Sequence, residues 1–306
     1  MRFTVFCSGL RVNISHCRPL VFSVSMTIPV ILSTGSLFNF DVDTVMYLAQ
    51  ETGFDGVELM VDWRRETYTP DHLQRCMRRY NLPILAVHSP FNKSFLSDWP
   101  SDPIASIKAS VQLAERLGAR TVIVHPPGRW LRIQGLVTLP DSSRKISLPL
   151  PVVRPGKLGH WLQNDLAEFQ SKTAVKIAVE NMPCRWFGPF QLEPHHYPSP
   201  DMLNRFPYLT LDTTHVGTRR TDLLAFYEKV EARVAHVHLS NFNGKEHQLP
   251  NQGFLPLTDL LKRLKQHVFQ GLVSLELNPT SLQAGDESKL KKNLRDSLSF
   301  CLQALQ

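Results

Sequence analysis

The sequence predicts a single-domain α/β protein built as a (β/α)8 barrel, and three observations carry that prediction. Eight short runs rich in β-branched and aliphatic residues alternate with longer amphipathic stretches, the pattern of repeated βα units around a parallel sheet. No glycine-rich dinucleotide fingerprint follows the first run, which argues against an open doubly wound sheet. The last six runs each end in an acidic or imidazole side chain, and the C-terminal strand ends are where such a barrel builds its active site.

In order, the strands are IPVILS from Ile28, GVELM from Gly56, PILAVH ending at His88 and TVIVH ending at His125. VKIAVE ending at Glu180, YLTLD ending at Asp212, VAHVH ending at His238 and LVSLE ending at Glu276 complete the eight. Helices are predicted for DTVMYLAQETG from Asp43, PDHLQRCMRRY from Pro70 and PIASIKASVQLAERLG from Pro103, with later ones from about Leu158, Asp222, Leu257 and Ser288. Gly53 and Gly118 stand where helix C-caps belong, just before the next strand. The stretch 126–157 is too long for an ordinary βα connection and reads as an irregular loop, a candidate lid. The barrel domain is expected to span 28–306. Residues 1–27 read as an N-terminal extension: 1–25 hold no acidic residue but lack the apolar core and cleavage site of a secretory signal. A disordered tail, or a start placed upstream of the natural one at Met26, is the expectation there.

Composition narrows the function classes. A chain of 306 residues, 42% hydrophobic and 20% charged, is long enough for one large core. No apolar run reaches the roughly 18 residues of a membrane helix, so no membrane partner is expected. The five cysteines (Cys7, Cys17, Cys76, Cys184, Cys301) show neither paired nor metal-ligand spacing, which fits a reducing, cytoplasmic setting. The formal charge of +7 is spread without a dense Lys/Arg tract and reads as ordinary surface charge. Nucleic acid is therefore disfavoured as a partner, a phosphorylated small molecule stays open, and so does a homo-oligomer.

The strand ends carry the chemistry. Strands three to eight end in His88, His125, Glu180, Asp212, His238 and Glu276; with 27 Asp and Glu and 12 His in 306 residues, that succession fits chance poorly. Residues two apart on a strand face the same way, so Ala86, Ile123, Ala178, Thr210, His236 and Ser274 share the inward face and are mostly small or polar. The alternate Val87, Val124, Val179, Leu211, Val237 and Leu275 are apolar and should face the helices. Several carboxylates and imidazoles converging on one buried point are tolerable only around a metal or a bound proton. Glu180, Asp212, His238 and Glu276 offer three oxygens and one nitrogen, a set that suits Mn²⁺ or Mg²⁺ and admits Co²⁺ or Zn²⁺. Further imidazoles from His88, His125, His215 and His247, as ligands or substrate contacts, would bring softer nitrogen and favour zinc. His236 reads as a buried structural imidazole, and His195 and His196, in a proline-rich loop, as exposed. Arg129, Trp130 and Arg132 in the long loop either close over an anionic substrate or are incidental surface.

From about Ile28 to the C-terminus the chain resembles the xylose isomerase-like superfamily of TIM barrels. That superfamily includes sugar and sugar-phosphate isomerases and epimerases and the zinc-dependent family 2 apurinic endonucleases. The resemblance is carried by FDGVELM at Phe54, AVHSPF at Ala86, VHPPG at Val124, VENMP at Val179, LDTTHVG at Leu211, HVHLSNF at His236, EHQLPNQG at Glu246 and LELNP at Leu275, in this order and spacing. Resemblance to the epimerase branch implies a metal on Glu180, Asp212, His238 and Glu276, with the two glutamates also catalytic as acid and base on the substrate carbon. It further implies His215 against a substrate oxygen and Glu58 at the pocket, with Glu58 and Asn181 either touching substrate or bracing the ligands. The implied chemistry is proton transfer through a metal-stabilised enediolate, without a redox cofactor. The endonuclease branch uses three zinc ions, and His88, His125, His215 and His247 match further ligands there. That branch has an Asp two residues before its last His, whereas here Lys245 precedes His247 at that spacing, and GKEHQLPNQG is closer to the isomerase loop. The expectation is a cytoplasmic, divalent-metal-dependent sugar or sugar-phosphate isomerase or epimerase of carbohydrate metabolism. A zinc-dependent phosphodiesterase, and a barrel that binds its ligand without turning it over, stand as the alternatives.

Overall fold

Short aliphatic runs flanked by glycine and proline become strands, and the sheet they make closes on itself. The computed structural model describes residues 27–90, 98–138, 145–151 and 154–306, with the backbone alone in 130–138 and 145–151. The strands are β1 (Val30–Ser33), β2 (Val57–Met60), β3 (Ile84–His88), β4 (Thr121–Val124), β5 (Trp130–Thr138) and β6 (Lys145–Pro151). They continue with β7 (Lys176–Glu180), β8 (Arg185–Phe187), β9 (Phe190–Leu192), β10 (Tyr208–Asp212), β11 (Val234–Leu239) and β12 (Leu272–Leu275). Eight of them form a closed parallel barrel in the order β1-β12-β11-β10-β7-β4-β3-β2, the single-domain (β/α)8 architecture that the sequence predicts.

The helices packed outside are α1 (Val42–Thr52), α2 (Pro70–Tyr80), α3 (Pro103–Leu117), α4 (Gly156–Asn164), α5 (Leu166–Gln170) and α6 (Pro200–Leu203). α7 (Thr213–Thr218), α8 (Leu223–Val230), α9 (Leu257–Gln266) and α10 (Glu287–Leu305) follow. Their ends obey local rules. Asp41 caps α1 by accepting from the Thr44 amide, and Asp102 caps α3 by accepting from the Ile104 and Ala105 amides. Gly53 and Gly118 end those helices at φ 98° and 73°, the left-handed conformation that glycine adopts without strain.

The core has two layers. Val87, Val124, Val179, Leu211, Val237 and Leu275 belong to the large cluster between barrel and helices. Ala86 and Ile123 pack inside the barrel with Ile31, Leu85 and Leu272. The inward and outward sets thus follow the period of two. Leu85 joins the interior beside its neighbour Ala86 because the β2–β3 register slips between Val57 and Glu58.

Two features differ from the sequence reading. The stretch 126–157 holds an antiparallel hairpin, β5–β6, running from the Trp130–Pro151 pair to the Thr138–Lys145 pair. The cause is visible in WLRIQGLVT and KISLPLP, where apolar residues recur at every second position, a strand period short enough to be mistaken for loop. A second hairpin, β8–β9, follows β7. The extension expected at 1–27 lies outside the described residues as far as residue 26. No described helix is long and apolar enough to cross a membrane.

Candidate metal centre

β7, β10 and β11 deliver Glu180, Asp212 and His238 at their C-terminal ends, and Glu276 stands one residue past β12. A metal-ligating atom from each of the four lies within 4.8 Å of the others. His238 Nδ1 is 3.0 Å from Glu276 Oε2, 3.3 Å from Glu180 Oε1 and 3.8 Å from Asp212 Oδ2. Asp212 and His238 are fully buried, whereas Glu180 and Glu276 line a cavity of about 430 Å³ at the mouth of the barrel. Asp212 and His238 thus lie beneath the cavity, while Glu180, itself buried, and the more open Glu276 line it.

Backbone clamps hold these strand ends. Asp212 uses Oδ1 to accept from the His215 amide at 2.8 Å, capping α7, and leaves Oδ2 buried without a hydrogen bond. Asn181 grips the Asp212 backbone twice, donating to its carbonyl at 3.0 Å and accepting from its amide at 2.8 Å. Asn181 thus braces a candidate ligand instead of lining the cavity. Ser36 donates to the Leu275 carbonyl at 3.2 Å and accepts from the Leu277 amide at 2.8 Å, pinning the chain on both sides of Glu276. Thr213 Oγ1 bonds the Ser240 carbonyl at 2.6 Å and amide at 3.0 Å, fixing the end of β11. Sequence reasoning missed Ser36 and Thr213; for Thr213 the signal was the Thr pair inside LDTTHVG.

The outer histidines gather around this core. His125 Nε2 lies 2.9 Å and His88 Nε2 3.6 Å from Glu180 Oε2, so His88, His125 and Glu180 form a second group of converging donors. His88 Nδ1 donates to the Ser89 carbonyl at 2.9 Å, and its Nε2 faces the Glu180 carboxylate; burial would lower His88, but Glu180 raises it above an ordinary imidazole. His215 Nδ1 likewise donates to the Asn181 carbonyl at 2.8 Å, leaving Nε2 toward the cavity, 3.8 Å from Glu246 Oε2. His247, in the left-handed region at φ 57°, meets the Glu276 carbonyl with Nδ1 at 3.2 Å. Asp212, His215 and His247 make a third group. Glu246 was not singled out in the sequence; it reaches His215 although Lys245 occupies the position two before His247.

Glu58 is brought under the centre, not into the cavity. It is fully buried, with Oε2 2.7 Å from His236 Nε2 and 3.0 Å from His238 Nε2, and Ser33 Oγ donating to Oε1 at 3.1 Å. His236 is fully buried, as its strand position predicts. His195 and His196, expected to be exposed, are not: His196 is 8% exposed, and burial lowers His195 to about 4. The Gly128–His195 bridge and the His196 amide on the Pro127 carbonyl fold that loop onto the barrel mouth. Arg129 is half-buried there, while the side chains of Trp130 and Arg132 lie outside the described ones.

The rest of the cavity lining is mostly apolar, with Phe38, Met60, Val61, Trp63 and Met182 beside Asp62. Arg64 links the two loops that carry Phe38 and Trp63, pairing with Asp62 at 2.5 Å and donating to the Phe40 carbonyl.

The electrostatics pass a simple test of fit to a cation. Burial raises Asp212 well above the usual carboxylate range, reinforced by the charges of Glu180 and Glu276. Burial would also raise Glu180, but His125 and His238 hold it well below that range; His238 and His247 likewise hold Glu276 near 2. Burial would lower His238, yet Glu276, Glu58 and Glu180 raise it well above an ordinary imidazole. Without a metal the cluster thus holds protons on Asp212 and His238 where a cation would supply the same charge. Asp212 Oδ2, buried without a hydrogen bond, is a donor such a cation would take up, beside the Glu180 carboxylate that His125 faces at 2.9 Å.

Comparison with known proteins agrees with this fold. The profile of a family described as xylose isomerase-like TIM barrel matches residues 46–303. An uncharacterised protein of Mycobacterium tuberculosis is 30% identical over 291 residues, 88% of this chain and 95% of that one. A D-psicose 3-epimerase solved in the presence of D-fructose superposes with a TM-score of 0.64 at 14% identity, covering 91% of this chain and 99% of its own. A family 2 AP endonuclease from Brucella melitensis superposes with a TM-score of 0.57 at 15% identity, covering 89% and 98%.

Proposed function

The chain belongs to the xylose isomerase-like TIM barrel family, and on that premise we propose that it is a divalent-metal-dependent isomerase or epimerase of a keto-sugar, sugar acid or sugar phosphate. The observation that carries this reading is the division of the four-residue cluster. Asp212 and His238 are sealed beneath the cavity, while Glu180 and Glu276 are the two members that line it. Two carboxylates facing one cavity provide a base to take a proton from the carbon beside a carbonyl and an acid to return one. A divalent ion on the four residues supplies, when bound, the Lewis acidity that makes such a C–H bond acidic. Three carboxylates and one imidazole favour Mn²⁺ or Mg²⁺ and tolerate Co²⁺ or Zn²⁺. His215 and His247 line the same cavity and are assigned to substrate oxygens. His88 and His125 flank Glu180, and His125 helps to keep it ionised. The apolar wall around Trp63 excludes water from the carbon that exchanges its proton.

The test is solvent-deuterium exchange on a panel of keto-sugars, sugar acids and their phosphates, with Mn²⁺, Mg²⁺, Co²⁺ or Zn²⁺ added in turn. At least one member should gain deuterium beside its carbonyl, and Glu180→Gln and Glu276→Gln should each lower the rate about 10²-fold or more. No deuterium in any member with any metal refutes the reading and leaves a ligand-binding barrel.

One observation favours a second reading. The groups His88–His125–Glu180 and Asp212–His215–His247 adjoin the main cluster and would add metals for a phosphodiesterase of the endonuclease type. Two or three tightly held zinc ions per chain, with cleavage of an abasic oligonucleotide, would establish it in place of the first.

A further inference from the structure

Inside the barrel Ile31, Leu85, Ala86, Ile123 and Leu272 pack together, and β2 sends a carboxylate into the same interior. A fully buried carboxylate is costly unless every lone pair finds a donor. Glu58 finds three: His236 Nε2 at 2.7 Å and His238 Nε2 at 3.0 Å on Oε2, and Ser33 Oγ at 3.1 Å on Oε1. A carboxylate only accepts, so both imidazoles carry their proton on Nε2. With Nε2–H committed to Glu58, Nδ1 is the nitrogen of His238 left for a metal ion, 3.0 Å from Glu276 and 3.3 Å from Glu180. The ring is gripped from below and aimed upward.

We infer that Glu58 is the positioning residue of the centre: it locks His238 as the Nε2–H tautomer, so that Nδ1 is the ligating atom, and backs that ligand with a negative charge. This rests on the reading that His238 holds a divalent ion. His236 completes the lock by occupying the other lone pair of Glu58 Oε2, so that the carboxylate cannot swing away from His238 without leaving a buried Nε2–H unpaired. Bracing a ligating imidazole through its distal nitrogen typically strengthens metal affinity 10- to 100-fold.

The test compares the full chain with Glu58→Gln and Glu58→Asp. Gln keeps the size and an accepting oxygen but loses the charge; Asp keeps the charge but shortens the reach. Zn²⁺ is titrated calorimetrically, and histidine ¹⁵N shifts of the Zn²⁺-loaded proteins report which nitrogen of His238 is bound. The wild type should show metal on Nδ1 and hydrogen on Nε2. Glu58→Gln should bind Zn²⁺ about 10- to 100-fold more weakly at unchanged stoichiometry. Glu58→Asp, which retains the charge, should recover part of that loss. A role confined to folding would move the metal-free melting temperature and leave the affinity and ¹⁵N pattern of folded protein as in the wild type; that result overturns the inference. A wild type that binds no Zn²⁺ refutes the metal reading itself, a failure distinct from the first.

Discussion

At the scale of single residues, the proposed metal centre is a set of donors whose protonation would compete with metal loading. Asp212 and His238 both have raised proton affinity in the metal-free cluster and must release their protons in order to ligate. The sign follows: lowering the pH keeps those protons on and weakens the ion, and raising it strengthens binding. Apparent metal affinity should therefore climb by up to about tenfold per pH unit for each proton displaced. Calorimetry in two buffers of different ionisation heat should show proton release; an affinity flat with pH and heats independent of buffer would contradict it. The four candidate ligands were legible in the sequence as strand-end residues, because each ends or directly follows a strand. Glu58 was only half legible. Its position on GVELM is plain, but its bonds to His236 and His238 join β2 to β11 across the barrel, between residues 178 and 180 positions apart, which no local pattern shows.

At the scale of elements, the site depends on how strands and loops are held. Gly56 sits where an added Cβ would lie 2.7 Å from the Pro83 carbonyl and 3.0 Å from Leu85. Gly56→Ala should push β2 from β3, lower stability by about 1–3 kcal/mol and weaken metal binding through Glu58, read by thermal melting and titration. Asp102→Ala is the opposite case. It removes the α3 cap, which should cost about 1 kcal/mol, and leaves metal affinity untouched because α3 lies outside the barrel. Equal loss of affinity in the two variants would contradict this division. Element boundaries at Pro70, Pro103 and Leu257 were legible because proline and amphipathic periodicity mark them. The β5–β6 hairpin was not, since Pro149 and Pro151 suggest loop and a two-stranded ribbon tolerates proline where a central strand does not. α7 was hidden for another reason: its cap is Asp212, a residue that also reads as a ligand.

At the scale of the whole molecule, four barrel strands converge their ends on one point, so an ion bound there ties β7, β10, β11 and β12 together. Ligation that exists only in the folded chain stabilises it by mass action, about 2.7 kcal/mol at roughly one hundred times Kd. The melting temperature should rise by several degrees with added Mn²⁺, and Asp212→Asn should abolish the rise. The fold class was legible because eight strand runs and their alternation survive any local misreading. The grouping of the outer histidines was not, because Glu246 and His247 come from a loop whose course depends on Thr214 and Ser240, and His215 from the short helix α7. The central claim is that Glu180, Asp212, His238 and Glu276 hold one divalent ion. Metal analysis of protein dialysed after loading, for the wild type and Asp212→Asn side by side, tests it most directly. The account predicts about one equivalent per chain in the wild type and almost none in the variant; an empty wild type, or a variant that keeps its ion, would contradict it.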